Sequence, residues 1–189
     1  MTDPLQFILA VVLLLAVPGP TNTVMATAGA TNRGEAPWPF MAAELVGYLS
    51  IIALARLVLL PLTEAFPLVG AGLKVIVVAY LLYAAFRLWR TRLVLTATSD
   101  RISGWLVYTT TVLNPKGLVF ALSIIPKTHP ALWAYFAGFA ILVLLIACAW
   151  FMAGRALVVV SGRRASLLPR LGALALTSFA AYLASTLAG

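Results

Sequence analysis

Two short polar stretches interrupt long apolar runs: Pro18, Gly19, Pro20, Thr21 and Asn22 near the N-terminus, then Asn114, Pro115 and Lys116 far along the chain. Proline lacks a backbone N–H and disrupts a regular helix, while glycine admits dihedrals that other residues disfavour. Breaks of this kind free backbone polar groups at membrane depth, which is tolerated where protein or a polar path satisfies them. The first break should expose a helix N-terminus from about Thr21 onward, an end that attracts a carboxylate. Asn22 can add an amide contact, and Thr21 and Thr23 can cap the broken backbone. An ammonium at Lys116 needs a polar surrounding, a partner or an anion, and Asn114 can cap the second break. The chemistry implied is binding and gating of a small ligand, with no bond-making step. A packed kink is the plainer reading of any single proline, and structural compensation of the break is the plainer reading of Lys116.

Glu44 is the only carboxylate within an expected crossing. Burial would favour its neutral form, so it can carry a coupling proton or meet a ligand amine, with ion-pair packing as the alternative. Arg56, Lys74 and Tyr80 form a second tier of polar pathway candidates. Long basic side chains near span ends also snorkel to the interface, and Tyr80 and Tyr83 also suit lipid packing.

Composition sets the frame for these residues. The chain has 189 residues, 63% hydrophobic and 10% charged, and a mean hydropathy of +1.05. A soluble domain of this size does not bury repeated apolar runs of about 20 residues, so most of the chain should face lipid. Cys148 is the only cysteine, which excludes an intramolecular disulfide, a CxxC pair and a thiolate cluster. His129 stands alone, with no cluster of acidic or imidazole ligands beside it. No metal, cofactor or enzymatic centre is expected.

The spacing predicts an all-α polytopic membrane protein with six transmembrane helices, near residues 5–28, 38–61, 68–88, 105–126, 131–153 and 170–187. Spans one and four are broken. Residues 1–189 form a single membrane domain, since no connection is long enough to fold separately. Asp3 and Pro4 precede the first run without a basic leader, so residues 5–16 are expected to belong to the mature protein. With three helices each, residues 5–88 and 105–187 would run in opposite senses as an inverted 3+3 repeat; this rests on spacing, because direct similarity between the halves is weak.

The formal net charge of +8 is not scattered. Arg87, Arg90, Arg92 and Arg101 gather in one connection, and Arg155, Arg163, Arg164 and Arg170 in another. Asp3, Glu64 and Lys127 belong to the opposite side. This is a positive-inside pattern that puts both termini outside the cytoplasm, and it argues against nucleic acid as partner.

The segments Pro18-Gly19-Pro20-Thr21-Asn22, Lys74 followed by Tyr80-Leu81, and Asn114-Pro115-Lys116-Gly117, in this order and spacing, resemble the LysE/RhtB superfamily of lysine exporters and homoserine/threonine resistance translocators. The likeness in these segments covers the first two thirds of the chain, and the hydropathic layout fits throughout. It implies a bacterial inner-membrane exporter of amino acids or close derivatives, driven by proton motive force. Family transport elements then map onto Pro18, Gly19, Pro20, Asn22, Asn114, Pro115 and Lys116. Val77, Ala85 and Ala180-Ala181-Tyr182 stand near positions where members often carry glycine. The expected partners are a small zwitterionic metabolite, protons and membrane lipid, and Gly70, Gly72 and Gly138 would suit a homodimer. The rival from another class is a non-transporting membrane scaffold or assembly subunit, in which the buried charges contact another protein.

Overall fold

Proline and capping residues set where each helix begins. In the computed structural model, which describes residues 3–32, 34–90 and 101–157 and isolated positions between 174 and 184, α1 (Pro4–Ala16) opens on Asp3, whose side chain accepts the Gln6 amide at 2.9 Å. Pro4 occupies the first turn, where a missing N–H costs nothing. The chain leaves helical geometry over residues 17–19 and resumes at Pro20 as α2 (Pro20–Thr31). The two helices meet at 61°.

α3 (Trp38–Leu54) runs without a break through a π-helical turn at Ala55–Leu59 into α4 (Leu60–Ala65). α5 (Pro67–Arg90) follows. α6 (Gly104–Val112) begins at Ser103, whose hydroxyl accepts the Leu106 amide at 3.2 Å, and stops just before Asn114-Pro115. A single turn, α7 (Lys116–Val119), then leads into a second π-helical turn, Phe120–Ile124. α8 (Leu132–Leu157) is the longest element.

Every described residue in regular structure is helical. Two stretches among the described residues, Trp38–Thr63 and Leu132–Ala156, are long and apolar enough to cross a membrane, and the bent pair α1–α2 makes a third if it counts as one span. The break expected in span four is present between α6 and α7. The sixth span, residues 170–187, lies almost wholly outside the described residues, as do Arg92, Asp100, Arg163, Arg164 and Arg170.

α8 packs against α1, α2 and α3, and α6 packs against α2 and α3. One core cluster joins Phe7, Val11, Leu14 and Leu15 of α1 to Tyr48 and Ile52 of α3, to Phe120 and Ile124, and to Phe139 and Val143 of α8. A second joins Met25, Phe40, Val107 and Phe151. The α2–α8 crossing is a backbone-to-backbone approach: a methyl added at Gly29 would overlap the Phe151 carbonyl, and one at Gly154 would overlap that of Ala26. Large apolar side chains such as Leu9, Leu13, Leu57, Ile141 and Leu145 remain exposed on the outer faces, as lipid contact requires.

Polar ties close the two ends of the helical assembly. At one, the Asn32 side chain both donates to the Ile102 carbonyl and accepts its amide, each at 3.1 Å. Arg155 donates there to the Asn32 and Glu35 carbonyls, and Arg101 pairs with Glu35 at 3.3 Å. At the other end, Arg56 Nη2 donates to the carbonyls of Pro126 at 2.7 Å and Lys127 at 2.8 Å, and its guanidinium lies 5.5 Å from the centre of the Phe136 ring. Arg56 therefore ties the π-helical turn after α3 to the turn before α8, where the sequence suggests snorkelling.

Candidate functional site

The two breaks meet, and polar residues beside the prolines join them. Past the end of α1, Pro18 and Pro20 have no N–H to return to the Leu14 and Ala16 carbonyls. Asn22 reaches back from the first turn of α2 and donates through Nδ2 to the Leu15 carbonyl at 2.7 Å and the Val17 carbonyl at 2.8 Å. Thr23 secures the same turn by donating through Oγ1 to Gly19 O at 2.9 Å. The second break is built the same way: Asn114 Oδ1 accepts the Lys116 amide at 3.1 Å, the Asx cap expected from its position.

Two hydrogen bonds cross between the breaks. Asn114 Nδ2 donates to Thr21 Oγ1 at 2.9 Å, and Lys116 Nζ donates to the Val17 carbonyl at 2.6 Å. Val17 O thus serves both Asn22 and Lys116. Thr21, Asn22, Asn114 and Lys116 are all buried, so the lysine ammonium sits in the protein interior. Lysine carries three N–H donors, and this ammonium has one protein acceptor.

Gly19 has a role other than the one its sequence suggests. Its backbone is extended, at φ −157° and ψ −176°, a conformation open to any residue. What the position needs is room, because a Cβ there would lie 3.3 Å from both Cε and Nζ of Lys116. No side chain caps the first turn of α2, so its amide end stays open beside the same lysine.

α3 closes the site from another side. Gly47 and Gly117 allow this: a methyl at Gly47 would come within 2.8 Å of Thr111 Cβ, and one at Gly117 would overlap Ile51. The approach buries Glu44, which interacts electrostatically with Lys116 but makes no ion pair with it within 4 Å. Its Oε2 has no protein hydrogen-bond partner. One turn along α3, Tyr48 is fully buried beside Glu44 and Tyr80; Thr21 lies within reach of its hydroxyl, but the two close no hydrogen bond of ordinary geometry.

Comparison with models of known protein families, with curated proteins and with solved structures gives no match.

Of the residues singled out in the sequence, Thr21, Asn22, Asn114 and Lys116 come together with Gly19, Pro18 and Pro115 around them, and Glu44 joins them from α3. Pro20 heads α2 with an exposed ring. Arg56 sits apart, at one end of the assembly. Lys74 belongs to α5, and its side chain lies outside the described residues. Tyr80 is half-buried and close enough to Tyr48 to interact with it. Tyr48 itself was not among the sequence candidates; the available signal was its place four residues after Glu44, which puts both on one face of a helix.

Proposed function

We propose that this chain exports amino acids or close derivatives across the bacterial inner membrane, coupled to inward proton movement. The observation that carries the reading is the meeting of two helix breaks around a buried lysine, with a carboxylate close by and unpaired. Discontinuous helices facing each other in this way are the usual setting for a transported ligand. The resemblance of the Pro18–Asn22 and Asn114–Gly117 segments to the LysE/RhtB translocators supports the same conclusion.

In this reading the substrate carboxylate meets the free N–H donors of Lys116 and the uncapped amide end of α2, where positive charge and dipole act together. The ammonium faces Glu44. Protonation of Glu44 removes the charge that holds the ammonium and so couples release on the far side to proton entry. Six helices in a single membrane domain, with both termini outside the cytoplasm, complete the topology, and the two halves alternate access around the central site.

The test is counterflow in proteoliposomes loaded with a mixed amino-acid panel under an imposed pH gradient. Saturable flux that rises with the gradient is expected, and Glu44→Gln, which removes the charge facing the substrate ammonium, should weaken substrate binding and abolish the stimulation by the gradient. Absence of flux for every amino acid and related metabolite would overturn export and leave the scaffold reading in its place.

A further inference from the structure

Glu44 and Tyr48 lie one turn apart on α3, close enough to interact electrostatically, and each carries a buried oxygen that closes no hydrogen bond of ordinary geometry with the protein. Buried polar atoms are normally hydrogen-bonded, and leaving two unpaired in one place is costly unless something else binds them. Their surroundings are built to hold them still. The Tyr48 ring packs edge-on against Phe120 at 5.5 Å and Phe139 at 6.0 Å, both fully buried, so the hydroxyl cannot swing toward another acceptor without dislodging the core.

The buried lysine does not serve them. Lys116 Nζ is drawn off to Val17 O, and Gly19 leaves it room to stay there. An ionised carboxylate oxygen only accepts hydrogen bonds, and a phenol oxygen accepts as well as donates. Two donors satisfy the hydrogen bonds, as a water would; a ligand group that also offsets the carboxylate's charge brings a positive charge as well. We propose, building on the export reading, that Glu44 and Tyr48 form the subsite for the substrate's ammonium and that Tyr48 makes it selective for groups bearing N–H. The substrate class is thereby narrowed to compounds with a free amine; quaternary ammonium compounds and des-amino acids are excluded. A quaternary nitrogen has charge but no donor for the Tyr48 oxygen.

Thermal unfolding of the detergent-purified protein tests this without reference to transport. Methylammonium chloride should raise the melting midpoint of the wild type more than tetramethylammonium chloride at equal concentration. That difference should vanish in Tyr48→Phe and in Glu44→Gln. The unliganded Tyr48→Phe protein should melt close to wild type, since the hydroxyl it loses has only a loose approach to Thr21; a clear fall would show that the Tyr48–Thr21 contact is a structural bond and overturn the proposal. In proteoliposomes, Tyr48→Phe should raise the apparent KM for amino acids about tenfold with little change in maximal flux, the loss of one hydrogen bond to a charged group. Equal stabilisation by both cations, or wild-type selectivity in Tyr48→Phe, would refute the subsite while leaving export intact. Selective stabilisation without any flux would refute export and retain the subsite.

Discussion

Replacing Asn22 by alanine isolates the bond pair that lets α1 stop in the interior. Its Nδ2 serves the Leu15 and Val17 carbonyls at 2.7 and 2.8 Å, and all three residues are buried. The two carbonyls lose unequal amounts. Leu15 O would be served in a continuous helix by the Gly19 amide, but Gly19 lies beyond the end of α1, so without Asn22 a buried acceptor is orphaned at about 1–3 kcal/mol. Val17 O keeps Lys116 Nζ, so its loss is the smaller net value of a single bond, about 1 kcal/mol. A membrane-inserted unfolded chain finds some replacement partners, which trims the total to about 2 kcal/mol. Unfolding free energies measured by steric trapping in bicelles provide the assay. Asn22→Asp should cost more than Asn22→Ala, because it removes both donors and turns an acceptor toward two carbonyls. A loss below about 0.5 kcal/mol for Asn22→Ala, within the range of an inconsequential substitution, would refute the idea that Asn22 holds the break and return it to the role of a free ligand.

Three further perturbations follow from the same geometry. Gly154→Ala places a methyl on the Ala26 carbonyl and should force α2 from α8 at a cost of about 3 kcal/mol, whereas Gly72→Ala, with nothing within 4 Å, should be neutral or stabilising; steric trapping of both variants compares them. Lys116→Ala should raise the apparent KM for carboxylate substrates in counterflow more than it lowers the melting midpoint, and Lys116→Arg need not rescue it, because a guanidinium is bulkier and points its donors differently. Asn32→Ala removes both bonds to Ile102 and should raise the rate at which a single cysteine placed at Ala28 is labelled by a soluble maleimide, in a background where Cys148 is serine; an unchanged rate would show that the Asn32 tie does not restrain that end.

What the sequence discloses is chemistry confined to neighbours along the chain. Proline's missing N–H is such a fact, and so both breaks stand where Pro18, Pro20 and Pro115 put them; the Asx cap at Asn114 is another, spanning two residues. What it conceals is which distant group each polar atom will meet. The Asn114–Thr21 and Lys116–Val17 bonds join residues 93 and 99 positions apart, and no periodicity within either run announces them. The same reason explains Arg56: position near a span's end suggests snorkelling, and only the path of the chain reveals the Pro126 and Lys127 carbonyls waiting there. Gly19 is a subtler case, since its type suggests an unusual dihedral, yet the backbone there is ordinary and the constraint is the space above a lysine from another segment. Tyr48 escaped notice because a tyrosine in an apolar helix is an ordinary core residue. Its distinction is an unmet hydrogen bond, a property of everything around it. The charged members of the site are kept apart in the same way: Val17 O takes the Lys116 ammonium while Glu44 Oε2 closes no bond, and breaking that one bond is the step by which, in the export reading, the lysine would come to neutralise the carboxylate.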